Sequence, residues 1–158
     1  MSAILSAVPL DYLDLRSLID AASTGGRFTM LEVTLEPRQI VAPLHRHSRE
    51  DEYNVVLVGR IGAMLGEEVV FGEPGDVIFK PRNQWHTFWN ASDEPARVLE
   101  IISPSGFELF FAEFTEDTAP PSPDDAIEIE ARYGLEFDFG SAPGLMQEHD
   151  VRFGGHLT

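Results

Sequence analysis

The sequence predicts an all-β domain, a sandwich or barrel, with a short helix before it and a helical extension after it. Three observations carry this. Between Phe28 and Ile102, eight short runs rich in β-branched and aromatic residues are separated by Gly, Pro and Asx residues, a spacing that suits antiparallel strands better than strand–helix–strand units. Several runs alternate in polarity, as a strand with one buried face does. After Pro104 the apolar period lengthens from strand-like to helical. A chain of 158 residues is expected to form one domain.

In order, Leu10–Ala22 reads as a short amphipathic helix stopped by Gly25-Gly26, so residues 1–25 form an N-terminal arm. Strands are predicted at Phe28–Leu35, Ile40–His47, Glu52–Val58, Ile61–Leu65, Glu68–Phe71, Val77–Lys80, His86–Asn90 and Arg97–Ile102, which places the barrel at about residues 26–104. Residues 105–158 are expected to be a helical tail. Phe107, Phe110, Phe111 and Phe114 fall on one helical face and read as a packing stripe. Thr118–Pro123 reads as a stiff linker, with a helix from Ser122-Pro123 to Tyr133-Gly134 and another over Pro143–His149. His149 and His156 are expected to be surface or packing residues.

Composition excludes several functions. With no cysteine there is no disulfide framework, thiolate zinc site, iron–sulfur cluster or cysteine nucleophile. A net charge of -16 disfavours nucleic acid and anionic membranes as partners. No run reaches the ~20 apolar residues of a membrane span, and the N-terminus lacks a basic signal-peptide start, so a cytoplasmic location is expected. Lys80 is the sole lysine and hence the single candidate for Schiff-base chemistry.

The chemistry concentrates between His45 and Asn90, which holds three of the five histidines. His45 and His47 lie two apart on a strand, so both imidazoles leave one face, about 6.6 Å apart along it. On the next strand Glu52, Asn54, Val56 and Val58 share a parity, which turns Glu52 inward with the valines and Asp51 away. Glu50 has the same parity but falls in the expected turn. His86 enters from a separate strand beyond Pro81-Arg82-Asn83. Three imidazoles and one carboxylate without sulfur suit one divalent transition metal ion (Fe, Mn, Ni, Cu, Co or Zn) better than Ca or Mg. Asn54, Phe79, Trp85 and Phe88 are the candidates for contacting a substrate, although alternation admits only some of them to the interior.

These residues resemble a known pattern. The motifs G-x5-H-x-H-x3-4-E-x6-G and G-x5-P-x-G-x2-H-x3-N of the cupin superfamily match at His45, His47, Glu52 and Gly59, and at Gly75, Pro81, His86 and Asn90. Gln39 and Asn83 stand where the motifs have glycine. Asn tolerates a left-handed backbone better than other non-glycine residues, so the second turn is compatible with the motif. The tail A-R-Y-G-L-E-F-D-F is similar to that of small bacterial, loosely quercetinase-like cupins. The resemblance implies a double-stranded β-helix, or jelly-roll barrel, with His45, His47, Glu52 and His86 as metal ligands. It also implies a homodimer.

Four protein ligands leave room on an ion for water, O2 or substrate. A metal-dependent, dioxygenase-like oxidoreductase is expected, acting on a small aromatic or enolic substrate, with Glu52 as ligand and possible proton acceptor. Two alternatives stay open: a non-redox isomerase, lyase or hydrolase, and a non-catalytic module that binds a small ligand or a metal.

Overall fold

The computed structural model describes residues 8–10, 14–113 and 122–154. Two sheets face each other. One runs in the order β1 (Val8–Leu10), β2 (Asp14–Ile19), β3 (Thr29–Leu35), β11 (Ala96–Ser103), β6 (Asp51–Val58) and β9 (Val77–Lys80). The other is built on β10 (His86–Asn90). On one side of β10 lie β4 (Gln39–Ile40) and β5 (Leu44–His47); on the other lies β7 (Ile61–Leu65), followed by β8 (Glu68–Gly72). The ladders are antiparallel apart from β13 (Arg152–Phe153), which runs parallel to β4. The strands form a double-stranded β-helix.

Alternation decides the core. β3 buries every second residue, and β6 does so over most of its length. Val33, Leu35, Val56, Ile78, Phe88 and Val98 therefore meet between the sheets. Each such side chain contributes roughly 1.5–3 kcal/mol on burial. Val58 was expected to point inward with Val56, but it is exposed. The register slips between Arg97 and Val98 opposite it, a bulge that turns the strand end outward. All of β10 is buried, and helix α4 (Ala142–His149) covers its outer face at Trp89. There Trp89 packs with Leu145 and Val151 and stacks on His149 at 4.3 Å, the packing role expected of that histidine. Trp89 needs the glycine at 62: a Cβ there would lie 2.3 Å from the indole.

The helix predicted over Leu10–Ala22 is corrected. Residues 11–13 lie outside the described residues. Asp14–Ile19 forms a strand along β3, pairing Asp14 with Thr34 and Leu15 with Val33, and helix α1 spans only Ala21–Thr24. Hydrogen bonding along β3 and the burial of Leu15 outweigh a weak helical period. Asp20 caps α1 by accepting from Ser23 N at 2.8 Å, and Gly25, left-handed at φ 63°, ends it. The second predicted strand is interrupted at 41–43, where Pro43 has no N–H to donate.

The tail is more than helical. Helices α2 (Glu108–Glu113), α3 (Ala126–Tyr133) and α4 form where expected, α3 ending at left-handed Gly134. Between α3 and α4, however, β12 (Leu135–Asp138) adds to the barrel beside β5, setting Leu135 opposite His47 and Phe137 opposite His45. The alternation of Leu135, Glu136, Phe137 and Asp138 was the overlooked signal. Phe114, His156 and most of the expected linker lie outside the described residues.

Candidate metal centre

Strand β5 presents His45 and His47 to the barrel interior, and β10 sets His86 directly opposite His45, with ring centroids 4.4 Å apart. Glu52 arrives from β6 in the other sheet. As parity required, it is buried, while Asp51 turns outward to pair with Arg82. The turn before β10 depends on Asn83, which takes a left-handed backbone at φ 65° and donates its N–H to His47 O at 2.7 Å. This bond ties the two histidine-bearing strands together. The potential ligand atoms of His45, His47, Glu52 and His86 all lie within 4.8 Å of one another.

The backbone selects the tautomers of two rings. His45 Nδ1 lies 2.9 Å from Pro43 O, and His86 Nδ1 lies 3.1 Å from Gln84 O. A carbonyl only accepts, so each Nδ1 carries a proton; this leaves the His45 Nε2 lone pair free, while His86 Nε2 faces Glu52 Oε2 at 3.0 Å. Both nitrogens of His47 lack a hydrogen-bond partner, although the ring is only 1% exposed. Its Nε2 sits 3.3 Å from Glu52 Oε1. An unsatisfied buried polar group costs about 1–3 kcal/mol, and a cation among the rings would satisfy it.

The protonation states fit the same reading. Burial pushes His45 well below the ordinary imidazole range, with His86 and His47 adding to the effect, and burial pushes His47 down to about 4. Burial alone would raise Glu52. The attraction of His47, Lys80 and His86 overcomes it and holds this carboxylate well below its usual range. Neutral His45 and His47 beside an ionised Glu52 are the donor state a divalent cation requires. The cluster suits such an ion.

Sequence reasoning missed the groups behind the cluster. The Lys80 Nζ lies 3.2 Å from Glu52 Oε2 and 2.6 Å from Glu100 Oε1, over the ring of Phe88. Asn54 donates to the other oxygen of Glu100. Burial opposes the charge on Lys80, but Glu100 and Glu52 together raise its pKa. Lys80 is therefore a locked ammonium and offers no free amine for Schiff-base chemistry. Burial, helped by the Glu52 charge, raises Glu100 to about 7. Glu50, expected in a polar turn, is buried, with Oε2 unpartnered 3.9 Å from His47 Nδ1. The signal for Lys80 was available: it shares the inward parity of Ile78.

A cavity of about 60 Å³ adjoins the cluster. Its polar lining is His45, Glu52, Lys80 and Glu100, and the remainder is apolar. Of the expected substrate contacts, Phe88 lines it. Asn54 sits behind the wall, bonded to Glu100. Phe79 is corrected: alternation along β9 turns it outward, 47% exposed and stacked on Tyr53 at 5.0 Å. Trp85 is also displaced from the interior, lying in the turn under the Arg46 guanidinium at 4.7 Å. The tail supplies the aromatic wall instead, through Phe107, Phe110, Phe111 and Phe137. The stripe that read as packing both packs on the barrel and closes this cavity.

Comparisons with known proteins agree with this architecture. The family model described as Cupin domain matches residues 31–102. No curated protein matches the chain in sequence. Among solved structures, a predicted oxalate decarboxylase from Thermotoga maritima is similar at TM-score 0.56 and 19% identity, over 65% of this chain and 95% of that one. The structure of KdgF from Halomonas sp. is similar at TM-score 0.56 and 15% identity, over 69% and 99%. The cupin domain of Cnp3 from Schizosaccharomyces pombe is similar at TM-score 0.54 and 18% identity, over 64% and 67%. At these identities the likeness is one of fold.

Proposed function

This chain belongs to the cupin superfamily, and from its buried donor cluster we propose that it is a mononuclear metal-dependent oxidoreductase, dioxygenase-like, acting on a small aromatic or enolic compound. The observation that carries the reading is the closing of three imidazoles and one carboxylate onto a largely apolar cavity. His45, His47, Glu52 and His86 would hold the ion. Bound there, it would supply Lewis acidity and, if redox-active, a partner for O2.

The other tasks fall to the chain's own residues. Phe88, Phe107, Phe110 and Phe137 keep water from the reacting end and seat an apolar substrate body. Lys80 fixes Glu52, and Glu52 is the group placed to accept a proton from a substrate hydroxyl. Roughly 10–15 Å³ of such space admits one water-sized group, so the substrate is compact, about one ring or a short branched chain. We further propose a homodimer, working in the cytoplasm. Exposed Val77 and Phe79 on β9, an edge strand of its sheet, support the self-association.

Oxygen consumption tests the activity. Protein loaded with Fe, Mn, Ni or Cu should take up O2 with single-ring enols, catechols or diketones. No uptake across that panel by metal-loaded protein would overturn the oxidative reading. A second reading, non-redox Lewis-acid chemistry, draws support from the fold neighbour described as a predicted oxalate decarboxylase. Full anaerobic turnover with zinc would identify it.

A further inference from the structure

The polar groups lining the cavity have a definite charge balance. If His45, His47 and His86 serve as neutral ligands, the charged groups on the wall are Glu52, Lys80 and Glu100. Lys80 is held as an ammonium by two carboxylates, at 2.6 and 3.2 Å. It cancels Glu52 and leaves at most one further negative charge, on Glu100. Glu50 is not part of this lining; it lies behind His47. Adding a divalent cation gives the cavity a net charge of one or two positive units, whichever form Glu100 takes. A net charge facing an apolar enclosure is costly unless countered.

The rest of the lining differs. Leu31, Val33, Phe110, Phe111 and Leu135 offer no polar side-chain atom to a ligand, and Phe107 stands against the His47 ring at 4.3 Å. Resting on the metal-binding reading above, we propose that the loaded cavity selects a compact monoanion, its anionic oxygens seated at the histidine cluster and its apolar body against the tail aromatics. Lys80 and Glu100 are then specificity-determining residues: they set how much positive charge the ligand meets. The tail takes part as well, since α2 and β12 supply the surface that rewards an apolar body. Without metal the same wall is neutral or negative and does not attract an anion.

The experiment is calorimetric titration of zinc-loaded protein with benzoate, benzamide and acetate, with bound zinc measured in every sample. Benzoate should bind at least tenfold more tightly than either neutral benzamide or bodiless acetate, and should not bind metal-free protein. Lys80→Met should weaken benzoate at least tenfold at equal zinc content. The double variant Lys80→Met/Glu100→Gln should recover most of the loss, with circular dichroism and unfolding at the titration temperature establishing that both variants are fully folded, so that restored stability is not read as restored charge balance. If Lys80→Met does not fold, the three-ligand comparison on the wild type decides alone. Zinc retained with benzamide or acetate equal to benzoate would overturn this inference and leave the metal reading intact. No zinc retained would overturn both.

Discussion

Lys80 Nζ lies 3.2 Å from Oε2 of Glu52, an oxygen that also sits 3.0 Å from His86 Nε2. One carboxylate oxygen is thus held by the sole lysine and by a histidine of the cluster, while the other faces His47 at 3.3 Å. The orientation of Glu52 is therefore set from outside the cluster, through a cation that Glu100 anchors in turn.

Removing that cation should be expensive. Lys80→Met leaves Glu100 buried opposite a methyl group, and breaking a buried pair by deleting one partner costs about 3–5 kcal/mol. Lys80→Met/Glu100→Gln should be clearly more stable than the single variant. Denaturant unfolding of metal-free protein checks both. Equal stability of Lys80→Met and wild type would contradict the anchoring role.

Glu50 gives a pH dependence whose sign is fixed. Burial, with Glu52 adding repulsion, raises it to about 7 from an ordinary 4.5. Above pH 4.5 the unfolded chain ionises this group more readily than the folded one does, so its contribution to stability falls as pH rises through 7. Glu50→Gln should then be more stable than wild type at pH 8 by about 2–3 kcal/mol: roughly 1.4 kcal/mol per pKa unit over this shift gives about 3.5 kcal/mol, which solvent near the carboxyl reduces. The gap should close as pH falls toward 4.5. Unfolding of metal-free wild type and variant at pH 5 and pH 8 measures it, and a gap independent of pH would contradict the assignment.

Asn83 stands where the second motif has glycine, and its left-handed backbone supports the bond to His47 O. Asn83→Ala should cost about 1–2 kcal/mol, the usual penalty for a Cβ in that region, whereas Asn83→Gly should be close to neutral. Denaturation midpoints distinguish the two. A neutral Asn83→Ala would show that the turn adapts.

The barrel and the ligand cluster were legible because both follow from strand parity. Three strands, Ile61–Leu65, Val77–Lys80 and His86–Asn90, fall at the predicted bounds. Glu52 separates from Asp51 by alternation alone. What could not be read depended on which neighbour completes a segment. Asp14–Ile19 is a strand because β3 offers it an edge, a fact absent from its local pattern. Leu135–Asp138 is a strand for the same reason, beside β5. Without knowing that the tail returns to the barrel, Phe107 and Phe137 could not be placed at the cavity, and the wall was assigned to Phe79 and Trp85. Lys80 was legible by parity, yet a lone lysine facing a core is an unfavourable guess until Glu100 appears across from it.

The proposed self-association puts Val77 and Phe79 of the edge strand at an interface. Light scattering after size-exclusion chromatography should give the dimer mass for wild type and a shift toward monomer for Val77→Ser/Phe79→Ser. A wild-type monomer at high concentration would remove the proposal and leave the metal centre untouched.

The central claim is that His45, His47, Glu52 and His86 bind one transition metal ion. Elemental analysis of protein purified without added metal, and again after soaking and desalting, tests it most directly. About one equivalent of Fe, Mn, Ni, Cu, Co or Zn per chain is expected in the wild type, falling to trace in a folded His47→Ala/His86→Ala variant. Trace metal in the soaked wild type, or an undiminished equivalent in that variant, would contradict it.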